Sequence, residues 1–234
     1  MKIKVNRSEE RGVTNAGWLL SKHSFSFGSY YNPSNVHFGL LRVLNDDSVA
    51  PAEGFGTHSH NNMEIISIAL EGELAHKDSM GHQSGLKPGE VQVMSAGTGI
   101  SHSEFNGSDK EPVKFLQIWI FPKEENIKPR YDQKKFALKK NEVVNIVSGL
   151  DLEGSLYIHQ DAVLSLVEID KGKIINYKKY LANNVLFIFI IDGEVSVGDE
   201  VAFSRDSIEI TSFKAIDLKA NIDSKILLIE IPEA

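Results

Sequence analysis

Two short stretches carry side chains that could hold a metal ion. The first is Gly56-Thr57-His58-Ser59-His60-Asn61-Asn62-Met63-Glu64, and the second is Gly99-Ile100-Ser101-His102-Ser103-Glu104. Alternate residues of a β-strand point to the same face, so His58 would project with His60, and His102 with Glu104. If the two strands lie side by side, three imidazoles and one carboxylate converge. That donor set suits a borderline divalent ion such as iron, manganese, nickel or zinc. A single His-x-His pair is weak evidence, because surface histidines are common. A second alternating pair at the end of another apolar strand strengthens it. The lead-ins Phe55-Gly56 and Ala96-Gly97-Thr98-Gly99 are turn-rich, as loops bearing sites often are.

The elements that must position these residues read as strands. Trp18 to Gly28 ends in apolar/polar alternation, and His37 to Leu44 reads as the next strand, ended by the turn chemistry of Asn45-Asp46-Asp47-Ser48. Met63 to Leu70 is a strand, and Ser79-Met80-Gly81-His82 is a hairpin connection. Lys87-Pro88-Gly89-Glu90 is a β-turn, Val91 to Met94 alternates, and Val113 to Phe121 is an apolar strand closed by Pro122. Short strands with turns every eight to twelve residues indicate an all-β sandwich or barrel. His23 and His37 have no partner at ligand spacing and read as hydrogen-bonded or surface groups.

The charged run from Lys123 to Asn145, with Pro129 inside it, reads as an interdomain connection with a solvated face. Strands resume near Ile146. The second half echoes the first: Phe187 to Val195 matches Ile66 to Leu74, and Lys225 to Pro232 matches Lys114 to Pro122. Setting Gly193 against Gly72 places Lys179 and Leu181 where His58 and His60 stand, and neither is expected to ligate a metal there. His159 is the one histidine of the second half. The expectation is a second domain without the metal, with domains at 1–133 and 134–234.

Composition narrows the function classes. The chain has 234 residues, a net charge of −7 and no cysteine. Disulfides, thiolate metal sites and a cysteine nucleophile are excluded. No basic cluster is dense enough to track a phosphate backbone, so nucleic acid is not expected as a partner. No stretch approaches the roughly 18 apolar residues of a membrane span, and Lys2 to Arg7 is polar rather than signal-like. A cytoplasmic protein is the expectation. The oligomeric state is open, with a monomer compatible.

These residues resemble the cupin superfamily and, within it, the pirin family. Cupins are small antiparallel β-barrels with one motif carrying His-x-His and a following Glu, and another carrying a Pro-Gly turn and a final His. His58, His60 and His102 match the three histidines. Ile65 stands at the usual first-motif glutamate position, so Glu64 is offset by one, and extra residues precede His102. Pirin-like proteins share both departures, and in them the fourth ligand comes from the second motif, matching Glu104. Trp18 to Phe27, Asn45 to Asp47, His76 to Gly81 and Met94 to Glu104 are also pirin-like. The resemblance implies an all-β bicupin with two jelly-roll-like barrels, the second similar to that of bacterial pirin-like proteins. It implies a divalent metal, iron(II) first and manganese, nickel or zinc as alternatives. It further implies an activity similar to quercetin 2,3-dioxygenase, acting with O₂ on a flavonol or another small aromatic, enolic molecule. Glu104 is then the candidate catalytic base as well as a ligand, with Glu64 or a water as substitutes. A non-enzymatic metal-binding regulatory protein is the alternative, and a bicupin with an inactive site is the third reading.

Overall fold

The computed structural model describes residues 1–234 and contains 22 strands, with Ser8–Glu10 as its single 3₁₀ turn. No helix is long and apolar enough to cross a membrane. The strands form two seven-stranded and two four-stranded sheets, antiparallel apart from a short parallel pair, Val143–Ser148 with Leu156–Tyr157. Each half is a jelly-roll-like pair of sheets, one large and one small, rather than a closed barrel. The all-β bicupin expectation is therefore met.

The reason for the long apolar strands lies in what covers each face. In Asn184–Asp192, the odd residues Val185, Phe187, Phe189 and Ile191 join one buried cluster, while Leu186, Ile188 and Ile190 join another. The second cluster fills the interior of the C-terminal half. The first also contains Phe25, Leu41, Ile66, Ile118 and Ile120 from the N-terminal half. The two seven-stranded sheets thus pack against each other, and a strand buried on both faces has no polar side to show.

The halves share more than this core. Strand Lys2–Asn6 crosses over and pairs with Ser207–Thr211 in the C-terminal sheet. Asp46 receives Arg11 at 3.1 Å from its own half and Arg205 at 3.0 Å from the other. Phe187 packs within 5.6 Å of Phe25 and 6.1 Å of Phe38, ring centre to ring centre. Phe187→Ala is expected to cost about 3–5 kcal/mol. The two halves should also unfold in one transition, read by denaturant titration followed with two probes. Two separate transitions would contradict a shared core.

Three local readings change. Asn45-Asp46-Asp47-Ser48 is not a turn, since Leu41–Val49 is one continuous strand. Both its edges are taken, by Leu19–His23 and by Val113–Ile120, and that pairing overrides the local turn chemistry. The same strand starts at Leu41 rather than His37. Gly39 is the reason: it adopts φ +50°, and a Cβ there would stand 2.5 Å from the carbonyl oxygen of Pro232. The charged run after Pro122 is not merely a connection. It contains strand Arg130–Lys135, paired to Glu90–Ser95. Its inward groups are Tyr131 and Gln133, which hydrogen-bond to each other, so the strand lacks an apolar period.

Candidate metal centre

The interiors of the two halves differ in kind. Eighteen buried apolar residues fill the C-terminal interior. The N-terminal interior instead holds the polar side chains of Asn45, Asp47, Ser67, His76, His102, Glu104 and Gln117, all buried. Buried polar groups are costly unless bonded, so this concentration marks the place where chemistry is prepared.

The small N-terminal sheet arranges it. Strand Ile100–Asn106 lies between Gly54–His60 and Leu74–Asp78. His102 stands opposite His58, and Ile100 opposite His60. A register shift between His102 and Glu104 then sets Glu104 opposite Phe55. On the other side, His102 faces Asp78 and Glu104 faces His76.

The ligand atoms of His58, His60 and His102 lie within 4.8 Å of one another. The Nε2 atoms of His60 and His102 are 3.1 Å apart. The Nδ1–H of His58 donates to the carbonyl of Gly56 at 2.9 Å, which leaves its Nε2 lone pair free. Burial first, and then the neighbouring imidazoles, push His102 down to about 3. Burial and then His58 push His60 down to about 4. Both rings are therefore neutral at pH 7, the form that donates a lone pair. The Nδ1 of His102 is buried without a partner. Crowded neutral imidazoles with facing nitrogens fit a divalent cation better than they fit one another.

Glu104 stands apart from His58 and His60 and groups instead with His102 and His76, again within 4.8 Å. Its Oε2 accepts from the Nε2 of Gln117 at 2.9 Å, and its Oε1 accepts from the Ser67 hydroxyl at 3.4 Å. Complete burial, and then the nearby carboxyl of Asp47, push Glu104 up to about 7. Burial also pushes Asp47 up to about 7. The sequence predicts one convergence of four residues, and the structure draws two overlapping groups that share His102.

A raised carboxyl pKa has a consequence for stability in metal-free protein. Folded Glu104 keeps its proton where the unfolded chain has lost it, so folding binds a proton between about pH 4.5 and pH 7, and stability falls as pH rises through that window. Glu104→Gln removes this effect. At pH 8 the metal-free variant should exceed metal-free wild type by an amount on the order of 1–3 kcal/mol, and at pH 4 the difference should vanish. Thermal unfolding after chelation at both pH values measures it. A variant less stable than wild type at pH 8 would contradict the assignment.

His58, His60 and Glu104 open onto a cavity of about 310 Å³. Leu19, Phe27, Phe55 and Trp119 form its apolar walls, with Thr14, His23, Asn45 and Asp47 among the polar lining. His23 is bonded to Asn45 and to Thr14, each at 2.8 Å, as expected of a structural histidine. His37 is bonded to the carbonyl of Gly39 at 2.9 Å. Glu64 lies outside the cavity: it is buried at the seam between the halves, accepts from Ser95 at 2.7 Å and stands 3.7 Å from His159.

In the C-terminal half, Lys179 and Leu181 follow strand Ile174–Lys178 rather than lying on it. The interior there is occupied by Tyr177, whose hydroxyl donates to buried Glu230 at 2.8 Å. The backbone N–H groups of Tyr180 and Leu181 also donate to that carboxylate.

Sequence reasoning did not single out His76 or Asp47 for the site. His76-Lys77-Asp78 has the same alternation as the ligand pairs, and that was the available signal. Asp47 was hidden by the turn-like composition around it.

Comparison with known proteins places the geometry in context. The family model described as Pirin matches residues 4–120, and that described as Quercetinase C-terminal cupin domain matches residues 145–231. The chain is 40% identical to a quercetin 2,3-dioxygenase of Escherichia coli strain K12, over 98% of this chain and 99% of that one. It is similar to the crystal structure of the bacterial pirin YhhW in complex with nickel(II) from Escherichia coli, with a TM-score of 0.95, 39% identity and complete coverage of both chains. It also shares its fold with a quercetin 2,3-dioxygenase from Acinetobacter baumannii, with a TM-score of 0.80 at 20% identity, covering 98% of this chain and 86% of that one.

Proposed function

The chain belongs to the pirin family of cupins, and from that membership and the geometry above we propose that it is a metal-dependent dioxygenase of the quercetin 2,3-dioxygenase type. Its substrate is a flavonol or a similar small enolic aromatic, opened with O₂ and releasing carbon monoxide. His58, His60, His102 and Glu104 would hold the ion, with iron(II) as first choice and manganese, nickel or zinc as alternatives. The observation that carries this reading is a buried carboxyl beside neutral imidazoles at the end of an apolar-walled cavity. Two domains are part of the same proposal, supported by the separate family matches over 4–120 and 145–231; strand Arg130–Lys135, paired throughout with Glu90–Ser95, sets the division just after it rather than at 133 and 134.

A divalent ion in this place supplies Lewis acidity and a common point of attachment for the reactants. The protein's own groups do the rest. Phe55, Phe27 and Trp119 receive the flat ring system and exclude water from it. Gln117 holds Oε2 of Glu104, which leaves Oε1, with only the longer Ser67 contact, to accept the enolic proton. In the metal-free site burial raises the proton affinity of Glu104, and a bound cation would lower it, so its role as base rests on its position beside the cavity.

The test is reconstitution. Chelated protein is reloaded separately with iron(II), manganese, nickel or zinc, and quercetin-dependent oxygen uptake is followed. Uptake with at least one metal, iron(II) first, is expected. Metal binding without uptake on quercetin or any other enolic substrate of a panel would point to the regulatory role instead.

A further inference from the structure

We propose that Asn45 and Asp47 are specificity-determining residues, whose side chains form a polar wall of the cavity that binds phenolic hydroxyl groups of the substrate. The site then takes a polyhydroxylated enolic aromatic in preference to a bare one. This rests on the reading that the cavity is where the flavonol-like substrate binds.

The large N-terminal sheet builds the wall. Asn45 and Asp47 are two residues apart on strand Leu41–Val49, so both point to one face. His23 stands opposite Asn45, and Ser21 opposite Asp47. Thr14 stands opposite Ser21 on the next strand, Gly12–Asn15. All five side chains line the cavity, to which the small sheet contributes Phe55, His58 and His60.

Two of the five have hydrogen-bonding capacity left over. Nδ1 of His23 lies 2.8 Å from Oδ1 of Asn45, and the Thr14 hydroxyl lies 2.8 Å from Nε2 of the same ring. The amide oxygen only accepts, so the ring proton sits on Nδ1, and Nε2 accepts from Thr14. The Asn45 amide is thereby fixed with Oδ1 on the imidazole, and its Nδ2 has no acceptor in the protein. Asp47 is buried, and its Oδ1 has no hydrogen-bond partner. The wall thus offers a donor and an acceptor from residues roughly 7 Å apart along the strand. A phenolic hydroxyl can accept from the first and donate to the second.

The other half of the chain shows that the fold does not require these two groups. Aligning Lys225 with Lys114 sets Ile226 against Phe115 and Leu228 against Gln117. Phe115 pairs with Asp47 and Gln117 with Asn45, while Ile226 pairs with Val167 and Leu228 with Ser165. Ser165 and Val167 therefore hold the corresponding places. The Ser165 hydroxyl donates to Asn145 at 2.8 Å, and Val167 belongs to the apolar interior. In the half without the histidine cluster these positions are satisfied or apolar. In the half with it, a donor and an acceptor are kept open beside the cavity, although leaving buried polar groups unpaired disfavours folding.

The experiment is calorimetric binding to nickel(II)-loaded protein without O₂, so that turnover does not intervene. Quercetin and 3-hydroxyflavone share the ring system and the enolic hydroxyl, and the second lacks the phenolic ones. Wild type should bind quercetin at least about 10-fold more tightly, the size expected of one or two hydrogen bonds in a buried site. Asp47→Val and Asn45→Ser each copy the residue of the C-terminal half, and each should cut that preference by about 3-fold or more. The preference is a ratio within one variant, so a change in metal affinity cancels. Equal affinity of wild type for the two ligands would overturn the proposal without any variant, as would an unchanged preference in both folded variants. If wild type binds neither ligand, the wall falls together with the flavonol reading. If the preferences follow as stated and metal-loaded protein consumes no O₂, the dioxygenase reading fails and the wall stands.

Discussion

His102→Ala is expected to leave a folded protein that no longer retains metal. His102 is the one residue common to both groups of ligand atoms, so its loss removes a donor from each. Each group is left with two donors, His58 with His60 in one and His76 with Glu104 in the other. Metal affinity should fall by more than about 100-fold, beyond the usual loss when only a supporting partner is removed. Quercetin-dependent oxygen uptake should disappear with it. If His102 were a buried structural histidine and nothing more, its truncation would cost about 1–3 kcal/mol of stability and leave metal content unchanged. Metal per chain, measured beside a denaturation curve, separates the two outcomes.

Glu104→Gln should have the opposite profile. The amide is nearly isosteric with the carboxylic acid and still offers a carbonyl oxygen, so metal should be retained, though less tightly. It carries no charge and accepts no proton in the pH range of interest. A positioned general base contributes about 10²–10⁴-fold to a rate, and a loss of that size in kcat is expected. The KM for quercetin should change far less, because Phe55 and Trp119 are untouched. Full activity in a metal-loaded Glu104→Gln variant would remove Glu104 from the role of base. The same substitution is expected to stabilise metal-free protein at pH 8, since a carboxyl held near 7 in a dry interior is a cost of having the site.

How much of this was legible in the sequence depends on the period of the signal. The pairs His58/His60 and His102/Glu104 were visible because alternation is the strand's own period. The two-residue alternation could not reveal the register shift that separates Glu104 from His58 and His60. His76 became visible only through the pairing of Glu104 with His76, a contact between strands about thirty residues apart. The echo between the halves was legible because Gly72 and Gly193 both occupy tight turns, with φ of +74° and +109°. What covers the apolar strands was not: a strand such as Asn184–Asp192 announces that both faces are buried, and cannot say that one of them lies against the other half of the molecule. Arg130–Lys135 escaped notice because its inward residues are polar and bond to one another.

Carbon monoxide in the headspace over quercetin tests the central claim most directly. With metal-loaded protein, the proposal predicts one carbon monoxide for each O₂ consumed, and none after chelation. Metal-loaded protein that consumes no O₂ with any enolic substrate, or that yields as much carbon monoxide without metal as with it, would contradict a metal-dependent dioxygenase.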